Sequence, residues 1–197
     1  FEGLIREKSD QWMKGTRGWI FNDVKRWLSD PAGSKCFWLC GDGGTGKSVI
    51  SSVLLCQLPK LGGRVAACHF FRHDNPAASD PRVILQSLAA MMIRQVPEYA
   101  KEVRKLDVTT IKQAWSKNIE DIFLELFTKP LAIVPRTNEP TLPYLVVIDA
   151  LDESPPDAKS RVLFIIKELF ATLPVWMRLF FTSRNDAYIH HNLSAKF

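Results

Sequence analysis

The sequence predicts an α/β fold, a three-layer P-loop NTPase architecture with a mostly parallel sheet, on three observations. Gly41-Asp42-Gly43-Gly44-Thr45-Gly46-Lys47-Ser48 is a complete G-x-x-x-x-G-K-[ST] phosphate loop between an apolar run and a helix-forming one. Tyr144 to Ile148 is apolar throughout, as befits a strand buried on both faces, and it delivers Asp149, Asp152 and Glu153 at its end. The other apolar runs alternate between strand and helix character, the order of a parallel sheet covered by helices. A chain of 197 residues suits one such domain.

From the N-terminus, Trp19 to Leu28 has helical spacing and ends at Ser29-Asp30-Pro31-Ala32-Gly33. Cys36 to Cys40 reads as the first buried strand, running into the glycine loop and a helix from about Lys47 to Leu58, closed by Pro59 and Gly62-Gly63. Arg64 to Phe71 is a second strand, followed by a polar loop from His73 to Ser79. Asp80 caps a helix with Pro81 in its first turn, and Pro97 stops or interrupts it. Ile119, Ile122, Phe123, Leu126 and Phe127 recur at helical steps, and Pro130 to Pro143 is the longest expected loop. After the strand at Tyr144, Ser154 to Asp157 is a turn and Ala158 to Ala171 a helix. Met177 to Phe181 is another buried strand, ending at Thr182-Ser183-Arg184. The usual connectivity of this architecture orders the four strands 1-4-3-2, with the fifth missing or incomplete. Two units follow: a helical entry segment over 1–33 expected to contribute to the adenine pocket, and the P-loop NTPase core over 34–197, expected to be truncated at its C-terminus.

Composition narrows the function classes. No apolar stretch approaches the ~20 residues of a membrane span, so no membrane span is expected. The net charge of +5 comes from Lys and Arg interleaved with Asp and Glu, an ordinary solvated surface and not a nucleic-acid footprint. Cys36, Cys40, Cys56 and Cys68 have the spacing of neither a redox pair nor a zinc knuckle, and read as reduced core residues of a cytoplasmic protein. His69, His73, His190 and His191 lack a metal-ligand arrangement. The opening Phe1-Glu2-Gly3 reads as a fragment of a longer polypeptide.

The candidate site follows from chemistry. Glycines let the loop backbone approach an oxyanion, and its N–H groups with the following helix N-terminus bind negative charge, which places Gly41, Gly43, Gly44, Thr45, Gly46 and Val49 around a phosphate chain. Lys47 reaches the β- and γ-phosphates, while Ser48 and Asp149 are the candidate ligands for Mg²⁺. Asp152 or Glu153 polarises the attacking water; spacing does not choose between them. Arg184, at another strand end, is placed to contact the γ-phosphate and distinguish ATP from ADP. No Asn-Lys-x-Asp guanine-recognition sequence occurs, which favours adenine.

These segments together resemble the NACHT class of signal-transduction ATPases, within the AAA-related STAND group. The resemblance rests on Gly41 to Ser48, on Leu145-Val-Val-Ile-Asp149-Ala-Leu-Asp152-Glu153 and on Phe181-Thr-Ser-Arg184. Upstream, Gly15-Thr16-Arg17-Gly18-Trp19-Ile20-Phe21 is similar to the Thr-Arg-x-Trp-Leu-Phe segment that precedes many NACHT phosphate loops. His69-Phe-Phe-Arg-His-Asp-Asn-Pro76 resembles NACHT domains attached to repeat arrays. The resemblance covers about residue 12 to residue 186 and implies that Thr16 and Arg17 lie by the adenine, and that Asp152 is the first choice for activating water. Ala150 stands where the class often has Gly. It also implies slow hydrolysis serving a regulatory switch, with partners in other domains of the same longer chain and homo-oligomerisation on activation. The lid and winged-helix domains of relatives are absent from this stretch, so weak nucleotide binding is expected. Two other readings are a small-molecule kinase and a nucleic-acid-linked AAA-type ATPase.

Overall fold

A computed structural model describes residues 2–13, 15–134 and 142–193. Four parallel strands form the sheet: β1 (Cys36–Cys40), β2 (Arg64–Phe70), β3 (Tyr144–Asp149) and β4 (Met177–Ser183), in the order β1-β4-β3-β2 expected from the sequence. Side chains alternate across the pleat, so each strand feeds two cores. Leu145, Val147 and Phe180 join one cluster, with Ile20, Val24, Leu28, Ile50 and Leu54. Val146, Ile148, Leu179 and Phe181 join the other, with Ile84, Leu88, Phe123, Val162 and Ile189. Burial on both faces explains why β3 is an apolar run and why β4 is largely one from Met177 to Phe181, Arg178 excepted.

The first cluster is covered by α1 (Glu2–Asp10), α2 (Gly18–Ser29) and α3 (Lys47–Gln57). The spacing predicted α2 and α3, but α1 is an addition. Its apolar content is little more than Leu4 and Ile5, too sparse for a periodic signal, and packing against α3 supplies what propensity does not. The second face carries α4 (Pro81–Gln95), α5 (Pro97–Val103), α6 (Val108–Ser116), α7 (Ile119–Phe123), α8 (Lys129–Ile133), α9 (Pro156–Phe164) and α10 (Ala187–Leu193). Asp80 caps α4 as expected, its Oδ1 accepting from the Arg82 N–H at 2.7 Å, and Pro97 marks the break between α4 and α5.

The loop expected from Pro130 begins later. A π-helical turn over Leu124–Thr128 joins α7 to α8, so Pro130 is helical. Proline has no N–H for the carbonyl four residues earlier. That carbonyl, of Leu126, accepts instead from the buried Tyr99 hydroxyl at 2.7 Å, which removes the objection to helix at this position. Residues 135–141 of the expected loop lie outside the described residues. Among the described residues no helix is long and apolar enough to cross a membrane.

Candidate functional site

Because all four strands are parallel, their carboxyl ends open on one edge, where ligands collect in α/β sheets. The register brings specific residues level. Cys40 pairs with Ser183 and the Gly41 N–H donates to the Ser183 carbonyl at 3.3 Å, which carries the phosphate loop alongside the end of β4. Ile148 pairs with Phe181, so Asp149 and Thr182 emerge together.

The loop closes on itself. Gly44 and Gly46 have φ of +74° and +78°, left-handed values that favour glycine, and Gly46 is the N-cap of α3. The Thr45 hydroxyl donates to the Asp42 carbonyl at 2.8 Å. Lys47 folds back, its Nζ donating to the carbonyls of Gly41 at 2.6 Å and Asp42 at 2.8 Å. The N–H groups of Gly43, Gly44, Gly46, Lys47 and Ser48 find no backbone acceptor among the described residues. Such a run of free donors at the start of a helix, with an ammonium folded over it, is an anion-binding concavity.

Asp149 is buried to 1 % exposure, and its Oδ1 accepts from the hydroxyls of Ser51 at 2.7 Å and Thr182 at 2.8 Å. The Thr182 oxygen also accepts the Ala150 N–H at 2.9 Å. One carboxylate therefore ties α3, β3 and β4 together. Ser51 and Thr182 were not anticipated. Ser51 lies one helical turn after Lys47 on the side facing the sheet, and Thr182 lies two residues before Arg184; both signals are readable once the loop is known to start a helix and β4 to end beside it. Ser48, partly buried, makes no hydrogen bond to Asp149 among the described residues.

Asp152 and Glu153 lie in a short 3₁₀ turn over Leu151–Glu153 and point to different partners. Asp152 accepts from the Arg184 backbone N–H at 2.8 Å through Oδ1, and its Oδ2 meets Arg184 Nε at 3.0 Å. Both oxygens of Asp152 are thus engaged by one residue. Glu153 Oε2 accepts the His73 N–H at 3.3 Å. The Arg184 side chain also reaches the loop, because a Cβ on Gly43 would stand 3.6 Å from its guanidinium carbon.

Ala150 has φ of +57°, a left-handed conformation that explains why glycine suits this position. A left-handed alanine costs about 1–2 kcal/mol, and the extra chain entropy of glycine takes back about 0.5–1. Ala150→Gly is therefore expected to stabilise the fold by about 0.5–1 kcal/mol, read as a rise in the denaturation midpoint.

The lead-in segment ends on the loop. The Thr16 hydroxyl is already used within its own turn, donating to the Met13 carbonyl at 2.7 Å. Arg17, immediately before α2, lies against Gly46: a Cβ there would fall 3.3 Å from the guanidinium carbon. Arg17 is thus beside the phosphate loop itself.

The cysteines divide differently from the sequence expectation. Cys36 and Cys68 are buried, and burial pushes their thiols up to about 12 and about 11. Cys40 is exposed and not a core residue; as the last residue of an edge strand it sets its Sγ 3.6 Å from His190 Nε2. His69 is buried, and burial pushes its imidazole down to about 4. Among the described residues no group of three or more His, Cys, Asp or Glu is disposed to hold a metal ion.

Fold and site define the class: an α/β domain of the NTPase-like kind, with its loops gathered at the carboxyl edge of a parallel sheet. Residues 15–184 match the family model described as "Nephrocystin 3, N-terminal", and the chain belongs to that family. The family matched is this one and not the NACHT domain itself. No curated protein matches the chain.

Proposed function

We propose that the chain is an adenine-nucleotide-binding module that hydrolyses ATP slowly and couples nucleotide state to conformational change in a longer signalling protein, in the manner of NACHT and STAND ATPases. The observation that carries the reading is the loop from Gly41 to Ser48, with free N–H groups and Lys47 folded over them, beside Asp149, Asp152 and Arg184. On this reading residues 34–197 are the NTPase core and residues 1–33 the segment that completes the pocket. Other domains of the same chain, homo-oligomerisation on activation and a cytoplasmic location belong to the same proposal.

The donor set suits Mg²⁺. A carboxylate and a hydroxyl are hard oxygen ligands, and both hydroxyl bonds to Asp149 fall on Oδ1, which leaves Oδ2 free of them. Asp149 and Ser48 would hold the ion, which when bound neutralises charge on the terminal phosphates. Lys47 would leave the carbonyls of Gly41 and Asp42 for phosphate oxygens of higher charge. Its rest position keeps the ammonium satisfied until then.

Arg184 supplies the switch. It is shared between Asp152, at 3.0 Å, and the loop at Gly43, so a third phosphate would compete with Asp152 for the same guanidinium. Asp152, held by both oxygens, is badly placed to take a proton from water while that pair lasts. Glu153 has one oxygen without such a partner among the described residues and is the better base in the resting arrangement.

Calorimetric titration with Mg²⁺ and either a nonhydrolysable ATP analogue or ADP tests the reading. Wild type is expected to bind both, and Arg184→Ala to lose about tenfold in affinity for the ATP analogue, the low end for a charged hydrogen bond, with ADP little changed. Equal losses for the two ligands would remove Arg184 as a sensor. Absence of binding by wild type would overturn the nucleotide reading as a whole.

A further inference from the structure

We propose that Arg17 binds the phosphate chain and not the base, so that the lead-in segment adds a cation to the phosphate loop from outside the sheet. The inference rests on the nucleotide reading above and assigns Arg17 a different role from the one its resemblance implies.

Placement is the first reason. The guanidinium lies over the Cα of Gly46, with its carbon 3.3 Å and Nη2 3.6 Å from where a Cβ would stand, and Nη1 occupying that space. Gly46 is the N-cap of α3, at the centre of the loop N–H groups that lack acceptors. Glycine is therefore required at 46 twice over, once for its φ of +78° and once for the approach of Arg17.

Commitment of the neighbouring cations is the second. Lys47 is bonded to two loop carbonyls and Arg184 is paired with Asp152. Among the described residues no carboxylate lies within ion-pair distance of Arg17, whose guanidinium lies against the loop at Gly46. A cation left unpaired against a rim of backbone donors calls for an anion. A planar guanidinium offers parallel donors to phosphate oxygens, a match that the adenine edge, with an N7 acceptor beside an N6–H donor, does not provide.

Bracing is the third. Arg17 has φ of +56°, a strained value for a residue with a side chain, and the surroundings hold it there. On one side the Thr16 N–H and hydroxyl both donate to the Met13 carbonyl, and the Trp12 indole N–H donates to the Thr16 carbonyl at 3.3 Å. On the other the Arg17 carbonyl accepts the Ile20 N–H at 3.0 Å, opening a helix anchored in the core by Ile20, Val24 and Leu28. The side chain thus projects from a fixed backbone, which lowers the entropy lost when it engages a ligand.

The experiment compares wild type, Arg17→Ala and Arg17→Lys by calorimetry with two probes, ADP and inorganic tripolyphosphate. Arg17→Ala is expected to weaken both by the same factor, about tenfold, and Arg17→Lys by less, since charge persists without the planar fork. Arg17→Gly relieves the left-handed backbone and gives the same comparison should the alanine variant fold poorly. A loss for ADP with tripolyphosphate unchanged would return Arg17 to the base, and no loss for either would remove it from the site. Wild type binding neither probe would sink the nucleotide reading, a result separate from a change confined to the Arg17 variants.

Discussion

Lys47→Ala is expected to lower the affinity for Mg-ATP by about a hundredfold or more while the protein stays folded. Two or more charge-assisted hydrogen bonds to phosphate vanish with the ammonium, each worth about 1.5–3 kcal/mol where well formed, and about 2.7 kcal/mol in total is already a factor of a hundred. The folded state loses less. Nζ donates at 2.6 and 2.8 Å to carbonyls of Gly41 and Asp42 at the loop rim, where water replaces it, so the cost is about 1–2 kcal/mol. Lys47→Arg sharpens the comparison, because it keeps the charge but cannot fold into the same space between those carbonyls. Calorimetric titration of each variant, alongside a denaturant melt, separates the two effects. Wild-type affinity in a folded alanine variant would show that the loop does not use Lys47 for phosphate.

Phe181→Ala is the change expected to cost most stability, about 3–5 kcal/mol, out of the ~5–15 kcal/mol typical of a domain. Phe181 is wholly buried in β4, stacks on Trp38 at 5.8 Å and joins the larger of the two cores. No neighbour collapses easily into the gap, because Trp38 is held from the far side by its indole N–H, which donates to Ser183 Oγ at 2.9 Å. A fall in the urea midpoint with an unchanged slope is the expected reading. A loss below about 1 kcal/mol would mean that the two sheet faces repack independently of this ring.

The strands were legible because β3 is an apolar run, β4 a largely apolar one and β1 stands before the loop, and their order came from the usual connectivity of the architecture. α1 was not, since Leu4 and Ile5 alone make no period. The helical Pro130 was also beyond reach, because its tolerance depends on the Tyr99 hydroxyl meeting a carbonyl from another helix. In the site, motif spacing named Lys47, Asp149, Asp152 and Arg184, yet spacing carries no information on pairing. That Asp152 belongs to Arg184, and Asp149 to Ser51 and Thr182, depends on the register of β3 with β4 and on the azimuth of α3. Arg17 shows the same limit in reverse: its sequence context pointed to the nucleotide, while its place against Gly46 came only from the turn that fixes its backbone.

Two hydroxyls from different elements share a single oxygen of Asp149. Substitutions at Ser51 and Thr182 therefore act on one common partner, and their effects will not sum. Loss of one hydroxyl leaves the carboxylate half-served in a buried place; loss of the second removes less, because the arrangement is already broken. Over generations such a trio is expected to drift as a unit. A lineage that gives up Asp149 is expected to gain nothing by retaining the two hydroxyls, and one that keeps it to hold small hydroxyl-bearing residues at both other positions, so the three positions are expected to change together.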